Sequence, residues 1–241
     1  MVVKKEAKSS GRFPTHIPGF DALCAGGFVH GSVNLVTGGT GTGKTIFCLQ
    51  FLNNAIANGK KALYVSFEEN LEALVGDAME FGWDFAKLQK EGKCWFITFQ
   101  PVTGPGLQAE FMHLIQEKGI EVLVIDSISV LAMMYEYNYF KMRKELYILS
   151  DTLKKLGVTT LFTAEIEGEA SLDIGAGGKL SRDGIVEFIA DSVITMHNAG
   201  IGGESDRAIR VLKMRRTKHE KGPVPLKITE KGMEVLKPTK F

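Results

Sequence analysis

The sequence predicts an α/β fold with a mostly parallel, twisted sheet, helices on both faces and an antiparallel C-terminal extension. Short apolar segments typical of buried strands alternate with segments of helical periodicity along most of the chain, which places parallel strands between two helical layers. The C-terminal part differs, because four short strand patterns (DSVITMH, AIRVLKM, VPLKIT and MEVL) follow one another with no helix between them. We expect these strands to extend the sheet in antiparallel fashion.

The individual elements follow from periodicity and from their flanking residues. Strands are predicted at residues 32–38, 61–67, 93–99, 121–126 and 158–163, and helices at 44–57, 71–82, 107–118 and 138–156. In the first helix, Ile46, Leu49, Leu52 and Ile56 recur at nearly helical spacing. Asn70 precedes the second helix and is a suitable N-cap residue.

Composition narrows the class of protein. The chain has 241 residues without an internal repeat or linker, so we expect one domain over 12–241 after a flexible tail at 1–11. The net charge of +1 gives no protein-wide attraction to nucleic acid or membrane, and no apolar segment approaches the roughly 20 residues of a membrane span. Three widely spaced cysteines argue against a zinc site or disulfide framework and favour the reducing cytoplasm.

The strongest motif is GGTGTGKT at residues 38–45, which fits G-x-x-x-x-G-K-[ST] between a predicted strand and a predicted helix. Its glycines let successive backbone N–H groups turn toward an anion, and the helix N-terminus adds a positive dipole. Lys44 can reach the β- and γ-phosphates, and the Thr45 hydroxyl can ligate Mg²⁺. The alternative is a glycine-rich turn with a chance lysine. The predicted phosphate-binding residues are Gly38, Gly39, Thr40, Gly41, Thr42, Gly43, Lys44, Thr45 and Ile46.

Acidic residues follow two of the other predicted strands. Asp126 ends the apolar segment EVLVID, where it is suited to hold Mg²⁺. Glu68 and Glu69 follow the strand at 61–67, and parallel strands bring their carboxyl ends to one rim of the sheet. Repulsion between adjacent carboxylates is expected to raise one pKa toward that of a general base. Either glutamate is a candidate; the alternative is that both begin the next helix, where the dipole favours them.

These motifs, in this order, resemble the RecA superfamily of ATPases, and more closely its KaiC-type domains. The resemblance covers about residues 12–236. It is carried by the opening HIPGFDALCAGGFVHGSVNLVTGGTGTGKT, the double glutamate in SFEEN, the stretch FGWDFAKLQKEGK and the closing KMRRTKHEKGPVPLKIT. It implies a RecA-like fold, ATP and Mg²⁺ as ligands, and a ring, usually a hexamer, with ATP between subunits. It also implies that Phe81 contacts the base or ribose, and that Lys213, Arg215, Thr217 and His219 face the neighbour's ATP.

Strand alternation offers support for the last group of residues. If the strand continued through KMRRTKH, one face would carry Ile209, Val211, Lys213, Arg215, Thr217 and His219, and Arg216 and Lys218 would point elsewhere. Cations supplied by a neighbour stabilise the charge of a transferring phosphoryl group. The alternative is a solvated edge strand whose charges prevent aggregation.

We therefore expect an ATP-hydrolysing ring that acts as a nucleotide-driven switch on an unidentified protein partner. One alternative is a DNA-binding recombination accessory protein akin to the RadA paralogues. Against it stand the small net charge and the acids in the predicted loop at 165–184. Another is an assembly scaffold that binds ATP and hydrolyses little. We find no phosphorylated Ser/Thr pair equivalent to that of the two-domain clock proteins after TAEIEG, so an autokinase activity does not follow.

Overall fold

Within the residues described by the computed structural model (11–99, 107–130, 135, 138–166, 186–198 and 206–236), a nine-stranded sheet forms the centre of the protein. A separate two-stranded sheet pairs β1 (Arg12–Phe13) with β2 (Phe28–Val29). The strands of the large sheet are β3 (Val33–Gly38), β4 (Ala62–Ser66), β5 (Cys94–Thr98), β6 (Val122–Asp126), β7 (Thr159–Glu165), β8 (Ser192–Asn198), β9 (Arg207–Met214), β10 (Val224–Thr229) and β11 (Gly232–Val235).

The strand order is β11-β10-β9-β8-β3-β7-β6-β4-β5. The six strands from β8 to β5 run parallel, and β9, β10 and β11 each run antiparallel to the strand before them. The predicted parallel sheet with an antiparallel C-terminal extension is therefore confirmed. Because β9 runs antiparallel to β8, it ends at one rim of the sheet, whereas β3, β4, β6 and β7 end at the opposite rim.

Helices cover both faces of the sheet, as predicted. They are α1 (Phe20–Leu23), α2 (Lys44–Ala57), α3 (Leu71–Met79), α4 (Phe85–Lys90), α5 (Leu107–Lys118), α6 (Tyr139–Leu156) and α7 (Val186–Ile189). Helices α2, α3 and α4 pack on one face, and α5, α6 and α7 pack on the other. Alternation along β4 feeds both cores, because Tyr64 packs on the α2 side while Leu63 and Val65 pack on the α6 side.

Polar side chains cap the N-termini of α3, α4 and α6. The side chain of Asn70 accepts a hydrogen bond of 2.9 Å from the backbone N–H of Ala73, so the predicted N-cap of α3 is confirmed. Asn138 caps α6 in the same way through the N–H of Lys141. Helix α6 ends at Gly157, whose φ of 74° is the left-handed conformation that glycine adopts without strain.

Several short elements were not predicted, namely β1, β2, α1, α4 and α7. Each is six residues or shorter and lacks the length over which periodicity is visible. The predicted tail at 1–11, apart from Gly11, and the loop at 165–184, apart from its first two residues, lie outside the described residues. In the described part of the chain, no helix combines the length and apolar character needed to cross a membrane.

Candidate functional site

The carboxyl ends of β3, β4, β6 and β7 meet at one rim of the sheet, and the predicted phosphate loop lies there between β3 and α2. The loop needs glycine at specific positions. Gly41 and Gly43 have φ values of 72° and 99°, which side chains rarely tolerate. A Cβ atom on Gly38 would lie 2.4 Å from the carbonyl oxygen of Met196 on the neighbouring strand. The glycines of the motif at 38–45 are therefore required by the backbone conformation of the loop and by its close approach to β8.

The lysine of the motif lies across the loop. Lys44 Nζ donates hydrogen bonds of 2.9 Å to the carbonyl oxygens of Gly38 and Gly39. The hydroxyl of Thr42 donates to the same Gly39 carbonyl at 2.9 Å. Lys44 is also the first residue of α2, a 14-residue helix whose free N–H groups and dipole favour an anion at this end. The Lys44 cation, the backbone N–H groups of the loop and the N-terminus of α2 thus lie together, as the binding of nucleotide phosphates requires.

Asp126 is the centre of a cluster of hydroxyl groups. Its Oδ2 atom accepts hydrogen bonds from Thr45 Oγ1 at 3.2 Å and from the Tyr64 hydroxyl at 2.5 Å, and its Oδ1 atom accepts one from Thr163 Oγ1. Asp126 is buried, with 8% of the residue exposed. Nucleotide-bound Mg²⁺ takes one or two protein oxygens together with phosphate oxygens. Thr45 and Asp126, in direct contact beside the loop, fit that donor set.

Glu68 lies beside Asp126 at the same rim. Its Oε1 atom accepts a hydrogen bond from the hydroxyl of Ser127, the residue after Asp126. Burial raises the pKa of Glu68 above its usual value of 4.5, and the charges of Asp126 and Glu165 raise it further, whereas Ser127 and Lys44 lower it. The net direction suits a proton acceptor.

Glu69 is held differently. Its backbone N–H donates to Ser66 Oγ at 3.0 Å, and the same hydroxyl donates to the Glu69 carbonyl oxygen at 2.7 Å. Burial raises the pKa of Glu69, followed by the charges of Asp126, Asp77 and Glu68. We expected repulsion between the two glutamates to raise a pKa, but at Glu69 the charge of Glu68 makes the smallest contribution to the shift. Burial is the main cause of the raised pKa at both residues.

Tyr64, Thr163 and Ser127 were not predicted as site residues. Tyr64 and Thr163 lie inside apolar strands, where sequence alone indicates core positions. The pairing of the strands carries a signal. Thr163 follows Phe162, which pairs with Ile125, the residue before Asp126. Tyr64 lies two residues before Ser66, which pairs with Asp126. Polar hydroxyls flanking an acid on adjacent strands indicate a carboxylate held in place.

The basic stretch lies at the opposite rim. Met214 pairs with Ser192 on β8, which in turn pairs with Asn34 on β3. Asn34 lies four residues before Gly38, the first residue of the phosphate loop. Met214 is therefore about 13 Å from Gly38 along the strands and about 10 Å, two strand spacings, across the sheet. Arg215 extends the pairing by one position, since its N–H donates to the carbonyl oxygen of Asp191 at 2.9 Å, and a turn follows at residues 215–216. Lys213 and Arg215 therefore do not converge with the phosphate loop of their own chain.

The predicted alternation through this stretch is wrong for two reasons. Strand β9 ends at Met214, and a bulge at Leu212 shifts the register, so that Lys213 pairs with Val193 while Val211 pairs with Ile194. An extra residue in one strand turns every later side chain of that strand to the opposite face of the sheet. Ile209 and Val211 pack on the α2 side, whereas Lys213 turns to the α7 side.

The four predicted neighbour-facing residues separate into two groups. Lys213 Nζ donates to the carbonyl oxygens of Glu187 and Ala190 at 3.0 and 2.8 Å. Arg215 lies beside it, with Nη2 donating to the Phe188 carbonyl oxygen at 3.4 Å and Nη1 3.8 Å from Asp191 Oδ1. The remaining two point elsewhere: Thr217 accepts a hydrogen bond from Arg12, and the His219 ring contacts the carbonyl oxygen of Glu220.

Phe81 and Ile46 are half-buried and pack against the α2-side core. The Phe81 ring stacks on Trp83 with 4.8 Å between centroids. Trp83 in turn contacts β11, since a Cβ atom on Gly232 would lie 2.6 Å from its ring. The predicted contact of Phe81 with a base or ribose stays a prediction.

Known proteins share both the sequence and the fold. The family model described as "ATPase: KaiC" matches residues 13–240. The circadian clock oscillator protein KaiC of Synechococcus elongatus is 34% identical over 241 residues, covering 95% of this chain and 45% of its own length. KaiC of Acaryochloris marina is 33% identical over 232 residues, covering 92% and 43%. The chain thus spans about half the length of these curated relatives.

A solved structure shows the same architecture over a full chain. The crystal structure of a KaiC-like protein from the hyperthermophilic archaeon Pyrococcus horikoshii OT3 has 37% sequence identity and a TM-score of 0.82. The match covers 95% of this chain and 100% of the other. With the phosphate loop, the hydroxyl-bound aspartate and the paired glutamates at one rim, these similarities show that the chain belongs to the KaiC family of ATP-binding, RecA-like ATPases.

Proposed function

We propose that the protein hydrolyses ATP to ADP and phosphate at the rim formed by β3, β4 and β6. The observation that carries the proposal is the direct contact of Thr45 with Asp126 beside Glu68, next to a glycine-constrained loop bearing Lys44. The loop backbone and Lys44 would bind the β- and γ-phosphates. Thr45 and Asp126 would hold Mg²⁺, which neutralises the charge that develops on the phosphate oxygens.

Glu68 is proposed as the group that activates water. The water oxygen attacks the γ-phosphorus, the bond from that phosphorus to the ADP oxygen breaks, and the water proton passes to the Glu68 carboxylate. Ser127 fixes the orientation of this carboxylate, and burial raises its pKa toward the operating pH. The hydroxyl of Ser127 holds the Glu68 carboxylate beside Asp126, whereas the contacts of Glu69 with Ser66 are made by its backbone. This difference favours Glu68 over Glu69.

The distance between the two rims supports a site shared between subunits. Lys213 and Arg215 form a cationic pair that cannot reach the phosphate loop of the same chain, because β9 ends at the far rim. In a head-to-tail ring, which we propose is a hexamer, each chain presents this pair to the ATP of its neighbour. Arg215 then acts on the transferring phosphoryl group, with Lys213, Thr217 and His219 as further proposed contacts.

Such a ring would couple hydrolysis to a change in subunit contacts, and we propose that this change switches a protein partner. Binding of single-stranded DNA through Arg216 and Lys218 is the competing function. Both side chains are exposed, but two cations in a chain of net charge +1 make a weak phosphate-binding surface.

The test is steady-state ATP hydrolysis by Glu68→Gln and Glu69→Gln proteins, each with nucleotide affinity measured by calorimetry. Glu68→Gln is expected to lower kcat by about 10²–10⁴-fold with ATP affinity retained, and Glu69→Gln to act more weakly. Unchanged hydrolysis in both variants would refute the assignment of the base. Tight, strongly salt-dependent binding of single-stranded DNA would favour the recombination function instead.

A further inference from the structure

Three basic side chains gather near one buried carboxylate where α6, α7 and the end of β9 meet. The carboxylate belongs to Asp191, which directly precedes β8, and the cations are Lys154, Lys213 and Arg215. Burial lowers the pKa of Lys213, the charges of Arg215 and Lys154 lower it further, and the charges of Asp191 and Glu187 raise it. A buried carboxylate is costly unless a cation and hydrogen bonds stabilise it. Which cation neutralises Asp191 therefore decides which cations stay free.

The fold holds Asp191 in a fixed position. Its Oδ2 atom accepts a hydrogen bond of 3.1 Å from the backbone N–H of Val33, and its own N–H donates to the Val33 carbonyl oxygen at 2.7 Å. These two bonds join the beginnings of β3 and β8, and Asp191 is buried. Its carbonyl oxygen accepts a third bond, from the N–H of Arg215 at 2.9 Å. The carboxylate cannot move toward a cation, so a cation has to move toward the carboxylate.

Lys154 makes the closer contact with this carboxylate. Its Nζ atom lies 2.8 Å from Asp191 Oδ2, whereas the Nη1 atom of Arg215 lies 3.8 Å from Oδ1. The hydrogen bond from Arg215 Nη2 to the Phe188 carbonyl oxygen is long, at 3.4 Å, and the Arg215 side chain is 52% exposed. Lys154 thus supplies the main neutralising charge, and the guanidinium of Arg215 is held loosely.

We infer that Lys154 is a positioning residue for Arg215: by neutralising Asp191, it prevents this carboxylate from retaining the arginine that the neighbour's ATP requires. If the Lys154 cation is removed, Arg215 is the cation best placed to replace it, because Lys213 is engaged with two carbonyl oxygens. A guanidinium pairs readily with a carboxylate through two N–H groups. Arg215 would then be held on its own chain. The inference rests on the proposed shared site and names the group that keeps its arginine free.

The first test measures the contact without relying on hydrolysis. Arg215→Ala is made in wild type and in a Lys154→Met protein, and the unfolding equilibrium constant of nucleotide-free protein is measured in urea. We expect little effect in wild type and an increase of about 3–30-fold in the Lys154→Met background, between the values for exposed and buried ion pairs. Lys154→Gln gives a second, milder background, because its amide can still donate to Asp191 without carrying a charge.

The matched control background is Lys155→Met, which removes a charge from the next position of α6, where Lys155 pairs with Asp151 at 2.6 Å. There, Arg215→Ala is expected to act as it does in wild type. Adding Asp191→Asn to Lys154→Met is expected to abolish the enhanced effect, since an asparagine oxygen still accepts from Val33 but does not retain an arginine by charge. An Arg215→Ala effect of equal size in the Lys154→Met, Lys154→Gln and control backgrounds would overturn the inference.

Steady-state ATP hydrolysis tests the consequence. Lys154→Met is expected to lower kcat by about 3–30-fold, Lys155→Met to match wild type, and Lys154→Met with Asp191→Asn to recover. A wild-type kcat in Lys154→Met, or no recovery in the double variant, would overturn the positioning role. Failure of the proposed shared site is distinguishable, because Arg215→Ala itself would then hydrolyse ATP like wild type.

Discussion

The hydroxyl cluster around Asp126 gives a quantitative prediction for Tyr64→Phe. Burial and the neighbouring Asp126 raise the pKa of Tyr64 well above 10.0, so the phenol stays protonated and donates its 2.5 Å hydrogen bond to the carboxylate. The ring itself is fully buried and stacked on Phe96, with 5.3 Å between centroids. Phenylalanine keeps that packing, so the substitution removes one hydrogen bond and little else.

A hydrogen bond to a charged group contributes about 1.5–3 kcal/mol to stability. Thr45 and Thr163 still donate to Asp126 in the variant, so we expect a loss at the lower end of that range, about 1.5 kcal/mol. The assay is urea unfolding of nucleotide-free protein at neutral pH. Tyr147→Phe removes the same atom from an exposed position and is expected to stay within about 0.5 kcal/mol of wild type.

The same substitution is expected to weaken Mg²⁺ binding, because the carboxylate loses one of the donors that fix its orientation. Calorimetric titration of ADP with and without Mg²⁺ separates this effect from loss of fold. If Tyr64→Phe unfolds at the same urea concentration as wild type and keeps the same Mg²⁺ dependence, the hydroxyl cluster does not position Asp126 and our reasoning is refuted.

Two further predictions concern backbone space and pH. Gly232→Ala is expected to destabilise by about 2–5 kcal/mol, through strain at its φ of 107° and overlap with Trp83 and Gln50. The control Gly59→Ala, with a φ of 78° and no neighbour within 4 Å, is expected to lower the free energy of unfolding by only about 1–2 kcal/mol. Equal destabilisation by the two substitutions would contradict the proposed overlap at Gly232. Folding raises the pKa of Glu68. The protonated side chain therefore contributes its full stabilisation below the unfolded-state pKa of about 4.5, and this stabilisation is lost as the pH rises through the folded-state pKa. Glu68→Gln should therefore be more stable than wild type at neutral pH, and the advantage over an exposed Glu230→Gln control should disappear on acidification.

The longer elements of the fold were predictable because their patterns are strong. Helices α2 and α6 and strands β3 and β6 lie within one residue of their expected ends, since each has a clear period or an uninterrupted apolar run. Helix α7, at four residues, carries too little sequence for any period. Its position matters nonetheless, because its carbonyl groups hold Lys213 and Arg215.

The candidate site was predictable in its motif residues and not in its geometry. The phosphate loop, Asp126 and the glutamates follow from residue type and spacing. The bulge at Leu212 depends on how β9 pairs with β8, a tertiary property that strand alternation cannot contain. Tyr64 and Thr163 have the composition of core strand residues, and only the strand order reveals that both hydroxyls contact Asp126.

The central claim is that each ATP site is completed by the neighbouring subunit, and mixing two inactive proteins tests it most directly. Lys44→Ala disables the phosphate loop, and Arg215→Ala removes the proposed neighbour-supplied cation, worth about 10³–10⁵-fold in rate in comparable enzymes. In rings assembled from equal amounts, about a quarter of the head-to-tail interfaces combine an intact loop with an intact arginine. We predict recovery of roughly that fraction of wild-type hydrolysis. Mixed rings of wild-type mass whose hydrolysis does not exceed that of the two single variants would contradict the shared site.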